Sequence, residues 1–401
     1  MNILVVYHFF HPDPVISARI FSELAVGLAK AGHAVSVFTG NRMIRGDGGK
    51  LAPGEKWHGV EIRRFSRPSF SQGNNFGRLL NSAILQLKWL WAFFRSRGKF
   101  DMVIVGTDPQ FSYLMFPFLR LTSRRVKIVH WAFDLYPEAI LANSPCWMKC
   151  LASLSRPLIP LAYRRVDVMV DLGSRMRERL SKYRHRAACE TLTPWALVEP
   201  ETLPMPDPEV RRELFGDAGL GILYSGTVGY AHDLAPFIAL ARECRHRGLD
   251  VVFCFAGYGN QYGAQTAGIT PEDTNIRLIG FTAEKELGAR LAAADIHLVS
   301  LRKGWEGIVV PSKFFGALAI GRPVIYSGSS SGDIGCWIDE YGVGWNLREE
   351  HLSEMAEVLR ELIEDKDKLH ELQCAAHDCY RDHFSREAVM KRWNDLVDAN
   401  S

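Results

Sequence analysis

A chain of 401 residues with 47% hydrophobic and 23% charged residues has the length for two domains and the composition of a folded core, which excludes a disordered chain. The net charge is only +3, but residues 1–200 hold 28 Lys and Arg against 14 Asp and Glu, and residues 201–401 hold 20 against 31. The basic half suits an anionic partner, a phosphorylated acceptor or a lipid surface rather than nucleic acid; solvated basic helices would give the same count.

In chain order, a continuous apolar strand is predicted at 2–8, of the kind buried on both faces of a parallel sheet. No basic leader or cleavage site precedes it, so no signal peptide is expected. A helix over 16–31 stops at Gly32 and a strand follows over 34–39, making one βαβ unit. Strands at 60–65, 102–106, 127–131 and 166–170 alternate with helical stretches. The helix predicted over 76–97 carries two apolar strips. Leu80, Ala83, Ile84, Leu87, Trp91 and Phe94 form the strip expected to face the core. Leu85, Trp89 and Phe93 form a second strip, flanked by Arg78, Lys88 and Arg95, which suits a membrane headgroup interface or a helix buried on both sides.

The same grammar restarts at 221–225 and runs through 251–256, 276–280, 295–300 and 324–326, so the fold class expected is α/β with two doubly wound Rossmann-like halves. The expected domains are 1–195 and 196–380, joined by a linker around 193–205, with a terminal segment 381–401 packing back towards the first. Helices from about 352 onward read as a solvated capping layer. The eight cysteines form no C-x-x-C pair, as in a reduced, cytoplasmic protein. No apolar run reaches the roughly 18–20 uncharged residues that spanning a bilayer needs.

The most informative stretch is 305–327, WEGIVVPSKFFGALAIGRPVIYS. It predicts a loop, a helix from Pro311 to a stop at Gly321, and a strand from Pro323. Amides near Ser312, Lys313 and Phe314 would be free at the helix start, where the dipole is positive. A lysine in that first turn gains nothing from the dipole, so Lys313 points to an anionic ligand or to simple solvation.

With GHAVSVFTGN (32–41), WAFDLYPEA (131–139), GILYSGTVGYAHDL (221–234), FAGYGN (255–260) and VVPSKFFGALAIGRPVIYSG (309–328) in this order, the chain resembles the family 4 nucleotide-sugar glycosyltransferases of the two-domain GT-B architecture. The resemblance runs over essentially the whole chain. It implies a nucleoside-diphosphate sugar, most often a UDP-sugar, held mainly by the second domain, and an acceptor held by the first. It also implies reaction in the cleft between them with retention, no cofactor and no metal. The acceptor would be a glycan or a polyprenyl-diphosphate-linked one, as in surface-polysaccharide or lipopolysaccharide synthesis, at the inner face of the cell membrane.

Residue by residue, Lys313, Ser312 and the amides at Val309 and Val310 are the candidates for the diphosphate, with Gly226, Thr227, Gly229 and Tyr230 in the facing loop. Gly257, Tyr258 and Phe281 follow strand ends and could line the base pocket. In the first half Asp134, and less strongly His130, would orient or deprotonate the acceptor hydroxyl. Asp108 also ends a strand, and His11 and Ser17 of HPDPVIS (11–17), with Arg19, are acceptor contacts. Relatives carry two glutamates eight positions apart where this chain has Ile308 and Gly316, with Glu306 a partial substitute for the first. Those losses keep a non-catalytic sugar-nucleotide- or glycan-binding subunit open beside a transferase, as the architecture keeps open an epimerase.

Overall fold

Two parallel sheets organise the computed structural model, which describes residues 1–43, 49–68, 70, 75–280 and 284–401. The chain divides into two compact units. The first comprises Met1–Thr193, Gly307–Val309 and Val389–Ser401; the second comprises Pro194–Glu306 and Val310–Ala388.

The first unit's sheet contains, among the described residues, β1 (Asn2–Val6), β2 (Ala34–Gly40), β3 (Gly54–Trp57), β4 (Val60–Phe65), β5 (Met102–Gly106), β6 (Lys127–Trp131), β7 (Val168–Asp171) and β8 (Ala188–Thr191). Their order is β3-β4-β2-β1-β5-β6-β7-β8, and only β3 runs antiparallel to its neighbour. The run NILVV occupies the middle because Ile3, Leu4, Val5 and Val6 need apolar cover on both faces; Val6 pairs with Phe38 on one side and Val105 on the other. At the carboxyl end of β5, Gly106 leaves room for Tyr7, whose ring stacks on Phe21 at 3.8 Å. A Cβ at Gly106 would stand 2.3 Å from that ring. The terminal helix Arg386–Ala399 contributes Trp393, fully buried and edge-on to Trp131 at 4.9 Å, and Arg392 donates to the Thr191 carbonyl at 2.6 Å. The first unit thus takes up the chain again from Val389, where the sequence places the terminal segment from 381.

The helix Asn75–Arg95 reverses the expected sidedness. Leu85, Trp89 and Phe93 are buried, whereas Leu87, Trp91 and Phe94 of the supposed core strip are exposed. Both strips are apolar, so periodicity alone could not choose between them. Of the basic residues flanking the buried strip, Lys88 turns its Nζ to Ser66 Oγ, donating at 2.8 Å.

The second unit holds β9 (Leu220–Thr227), β10 (Val251–Tyr258), β11 (Ile276–Ile279), β12 (Ile296–Ser300), β13 (Val324–Ser327) and β14 (Gly344–Leu347), in the order β11-β10-β9-β12-β13-β14, all parallel. Its first helix, Pro208–Phe215, is capped by Asp207, which accepts from Glu209 N–H at 2.9 Å, with Pro208 in the first turn. The later helices are more than a solvated layer. Met355, Ala356, Leu359 and Leu362 of Leu352–Glu364 and Leu369 of Lys366–Cys379 join the core around β9, β10 and β12. Their acidic outer faces hide an apolar stripe at helical spacing.

Candidate functional site

In the second unit Lys313 lies over the carboxyl end of β9, on the side of a parallel sheet where ligands bind. The helix over this stretch runs Lys313–Ala319, two residues later than predicted. Pro311 precedes the helix, and its carbonyl already takes the Phe314 N–H at 3.2 Å, so that amide is not free for an anion. Lys313 bends back over β9. Its Nζ donates to the Thr227 carbonyl at 2.9 Å, lies 3.2 Å from His232 Nε2 and sits 5.2 Å from the centre of the Tyr224 ring. Burial lowers its pKa from 10.5 to about 8.

The loop after β9 is built around this lysine. Gly226 has φ +122°, and a Cβ there would stand 3.1 Å from Lys313 Cε, so the backbone must be glycine for the ammonium to reach Thr227. Gly229 N–H donates to His232 Nδ1 at 3.2 Å. Arg302 Nε donates to the His232 carbonyl at 2.9 Å and pairs with Asp233 at 3.8 Å. His232 is pushed down to about 3, first by burial and then by the Lys313 charge, and is neutral. From β10, Gly259 approaches so closely that a Cβ would stand 2.5 Å from the Val228 carbonyl, and the Tyr258 carbonyl accepts Val228 N–H at 2.7 Å. Tyr230 is exposed beyond this loop. Phe281 lies outside the described residues.

Of the two substituted positions, Ile308 is buried in the first unit and its carbonyl accepts the Leu135 N–H at 2.9 Å, while a Cβ at Gly316 would meet no heavy atom within 4 Å. Val309 belongs with Ile308 to the first unit, and Val310 and Ser312 to the second. Glu306 accepts from Gly304 N–H at 2.8 Å, bracing its own loop; burial, and next the Glu306 charge, raise the Tyr326 pKa.

In the first unit a cluster of acids and phenols gathers at the carboxyl ends of β1, β5 and β6. Asp134 follows β6 and is fixed by its N–H to Thr107 Oγ1 at 3.3 Å. Burial, and next the negative charge of Asp108, raise its pKa from 3.8 to about 6. Asp108 Oδ1 lies 3.4 Å from His8 Nδ1, and its carbonyl accepts the His8 N–H at 3.2 Å. The hydroxyls of Tyr7 and Tyr136 are raised mainly by burial, with both aspartates adding to it, and Ser17 hydrogen-bonds Tyr7. The sequence reading included Asp134, Asp108 and Ser17 and missed Tyr7, His8, Thr107 and Tyr136; the positions of Tyr7 and His8 directly beyond β1 were the available signal.

Other candidates have partners outside this cluster. His130 sits in the core between Phe116 and Tyr163, with Nδ1–H donating to the Val105 carbonyl at 2.9 Å, and burial lowers it to about 4. Alternation within β6 turns it towards the helix layer, which removes it from the cluster. His11 stacks on Trp57 at 4.1 Å, and Arg19 pairs with Glu23 at 3.7 Å on its own helix. Among the described residues no group of three or more His, Cys, Asp or Glu is arranged to hold a metal ion, and all eight cysteines are free thiols.

Two parallel-sheet units, one with a half-buried lysine over a glycine loop and the other with a half-buried carboxyl at its strand ends, place the chain in the GT-B class of folds. Residues 17–194 match the glycosyl transferase 4-like domain. A probable glycosyltransferase WbjE of Pseudomonas aeruginosa is 26% identical over 304 residues, 73% of this chain and 74% of its own. Among solved structures, HepE of Anabaena in complex with UDP superposes with a TM-score of 0.67 at 14% identity, covering 100% of both chains. WaaG, a glycosyltransferase involved in lipopolysaccharide biosynthesis, gives 0.63 at 17% identity, covering 98% of this chain and 99% of its own. The chain is a glycosyltransferase of the GT-B fold, with a glycosyl transferase 4-like domain in its N-terminal half.

Proposed function

We propose that this glycosyltransferase moves a sugar with retention from a nucleoside-diphosphate sugar, a UDP-sugar in the first instance, to a glycan or polyprenyl-diphosphate-linked acceptor, without a resident metal. The observation that carries the reading is Lys313, a half-buried cation held over the Gly226–Thr227 backbone at the carboxyl edge of a parallel sheet. The bond from the anomeric carbon to the diphosphate breaks as negative charge grows on the leaving oxygens, and a fixed cation there stabilises that charge. In the first unit Asp134 would accept or orient the acceptor hydroxyl's proton as that oxygen bonds to the anomeric carbon. A carboxyl near 6 is ionised at neutral pH yet basic enough to help. Attack from the face that the diphosphate leaves gives retention, with a diphosphate oxygen as the alternative proton acceptor. A cytoplasmic site of action fits both the donor and the eight free thiols.

Binding without transfer is the second reading, favoured by Ile308 and Gly316 where relatives carry carboxylates. Nucleotide release from UDP-, GDP- and dTDP-sugars, measured with and without membrane extract as acceptor, separates the two. Release that depends on the extract supports transfer; binding of a nucleotide sugar with no release in any combination overturns it.

A further inference from the structure

The helices Asn75–Arg95, Phe116–Thr122 and Leu158–Tyr163 precede β5, β6 and β7. Along the sheet order β4-β2-β1-β5-β6-β7 each crossover moves the same way, so right-handed connections place all three helices on one face. They pack side by side, Asn75–Arg95 on Phe116–Thr122 and that helix on Leu158–Tyr163. This layer buries Leu85, Trp89 and Phe93 inward and leaves large apolar side chains outward: Leu87 is 65% exposed, Trp91 60% and Leu121 78%. Phe94, Phe118 and Leu161 add to them. Isolated exposed leucines need no explanation, but a run of them across adjacent helices does.

Charge within the helices and their flanking segments has one sign. Residues 75–99, 109–133 and 139–166 contain no Asp or Glu at all. Each helix ends in exposed basic residues: Arg95 and Arg97, then Arg124 and Arg125, then Arg164 and Arg165. Because the three helices return to where β5, β6 and β7 begin, these residues form a band along one edge of the sheet, the opposite edge from Asp108 and Asp134; the acids at this edge, Asp101 and Asp167, are engaged by the Asn2 N–H and by Arg120. Trp91 stacks on Phe94 at 5.9 Å, and the Arg97 guanidinium covers the Phe94 ring at 5.4 Å. Beside Trp91 a groove of about 400 Å³ opens between the helix and β4, floored by Phe65, Ile84 and Leu87 and edged by Arg63, Lys88 and Arg95.

We propose that this helix layer is a docking surface for an anionic phospholipid bilayer, with Leu87, Trp91 and Leu121 entering the headgroup zone and the arginine band contacting lipid phosphates. Aromatic and aliphatic groups at the level of basic side chains are what an interfacial surface requires. A second copy of the chain fits less well, because two such faces would bring like charges together. Among the described residues no helix is long and apolar enough to cross a membrane, so attachment would be peripheral and reversible.

The test is co-sedimentation of the full chain with phosphatidylcholine vesicles, with or without phosphatidylglycerol, at low and high salt. The protein should pellet with the anionic vesicles at low salt and be released by high salt. Trp91→Ser with Leu121→Ser, and separately Arg124→Glu with Arg125→Glu, should each cut the bound fraction about tenfold or more while thermal melting stays unchanged. The second pair tests the surface without touching an apolar residue. Wild type remaining in the supernatant overturns the proposal, as does equal pelleting with neutral vesicles. Salt-resistant dimers that Trp91→Ser dissolves, with no vesicle binding, would assign the face to a second copy instead. The readout is pelleting, so its failure leaves the transfer reading standing and the converse holds too.

Discussion

Lys313 and His232 face a proton conflict that an anion would resolve. Gly229 N–H occupies His232 Nδ1, so the neutral ring carries its proton on Nε2, which points at Lys313 Nζ 3.2 Å away. Two donors face each other unless the lysine gives up a proton, in keeping with its lowered pKa of about 8. A bound diphosphate would draw the ammonium to itself and restore its charge, so nucleotide binding at pH 8.5 should take up protons. Calorimetry of UDP binding in buffers of different ionisation enthalpy reads this directly; a buffer-independent enthalpy would remove Lys313 from the diphosphate site. Lys313→Ala should lower kcat/KM about ten- to hundredfold, one charge-assisted contact being worth roughly 1.5–3 kcal/mol, and leave the melting temperature little changed. Asp134 brings the opposite sign. Its folded pKa of about 6 lies above 3.8, so the carboxyl is protonated in both states at low pH and destabilises the fold once ionised, above about 6. Asp134→Asn should therefore be more stable than wild type by about 2–3 kcal/mol at pH 8, with the gain vanishing near pH 4, while transfer is severely impaired. Urea titrations at the two pH values check the first part, and equal gains at both would show that the carboxyl is solvated. The two groups together give kcat/KM a bell-shaped profile: the acid limb near 6 needs Asp134 ionised, and the alkaline limb near 8 needs Lys313 charged.

At the scale of elements, the helix Asn75–Arg95 offers the sharpest test of sidedness. Leu85→Ala removes a fully buried side chain and should cost about 2–5 kcal/mol, whereas Leu87→Ala two residues on should stay within about 0.5 kcal/mol. Similar costs at both positions would show a helix covered on both sides. This helix also shows why part of the fold escaped the sequence. The strands with continuous apolar runs, β1, β5, β6, β9 and β12, were legible because burial on both faces leaves no other pattern. β3, β8 and β14 were not: they stand at sheet edges, and their residues are mostly exposed or half-buried, so GEKW and ACET carry no apolar run. In the sites, Lys313 and Asp134 could be found because each follows a recognisable strand or turn. His130 misled because the side of β6 on which it falls depends on which alternate residues the helix layer covers. His232, whose ring meets Lys313 at 3.2 Å, gave no such signal, because its approach depends on how the loop after β9 turns.

At the scale of the whole chain, sequence order and physical unit part company at the C-terminus. Trp393 is fully buried against Trp131 in the first unit, although more than 190 residues of the second intervene between that unit's main segment and Val389. Met390 from the same helix lies against Gly27, where a Cβ would stand 2.3 Å from its methyl carbon, so the helix Ile16–Lys30 has been kept small to receive it. Removing Trp393 leaves a cavity beside β6 and beneath Trp131, and Trp393→Ala should destabilise that core by about 3–5 kcal/mol. Hydrogen exchange locates the damage: peptides covering β1, β5 and β6 should lose protection, while those covering β9, β10 and β12 keep theirs. Saturating UDP, which the proposed reading places on the second unit, should raise protection around Gly226–Gly229 and Lys313 in wild type and variant alike, by about 2.7 kcal/mol at a hundred times Kd. Protection lost first in β9 and β12 on Trp393→Ala would mean that the terminal helix belongs energetically to the second unit, whatever its packing.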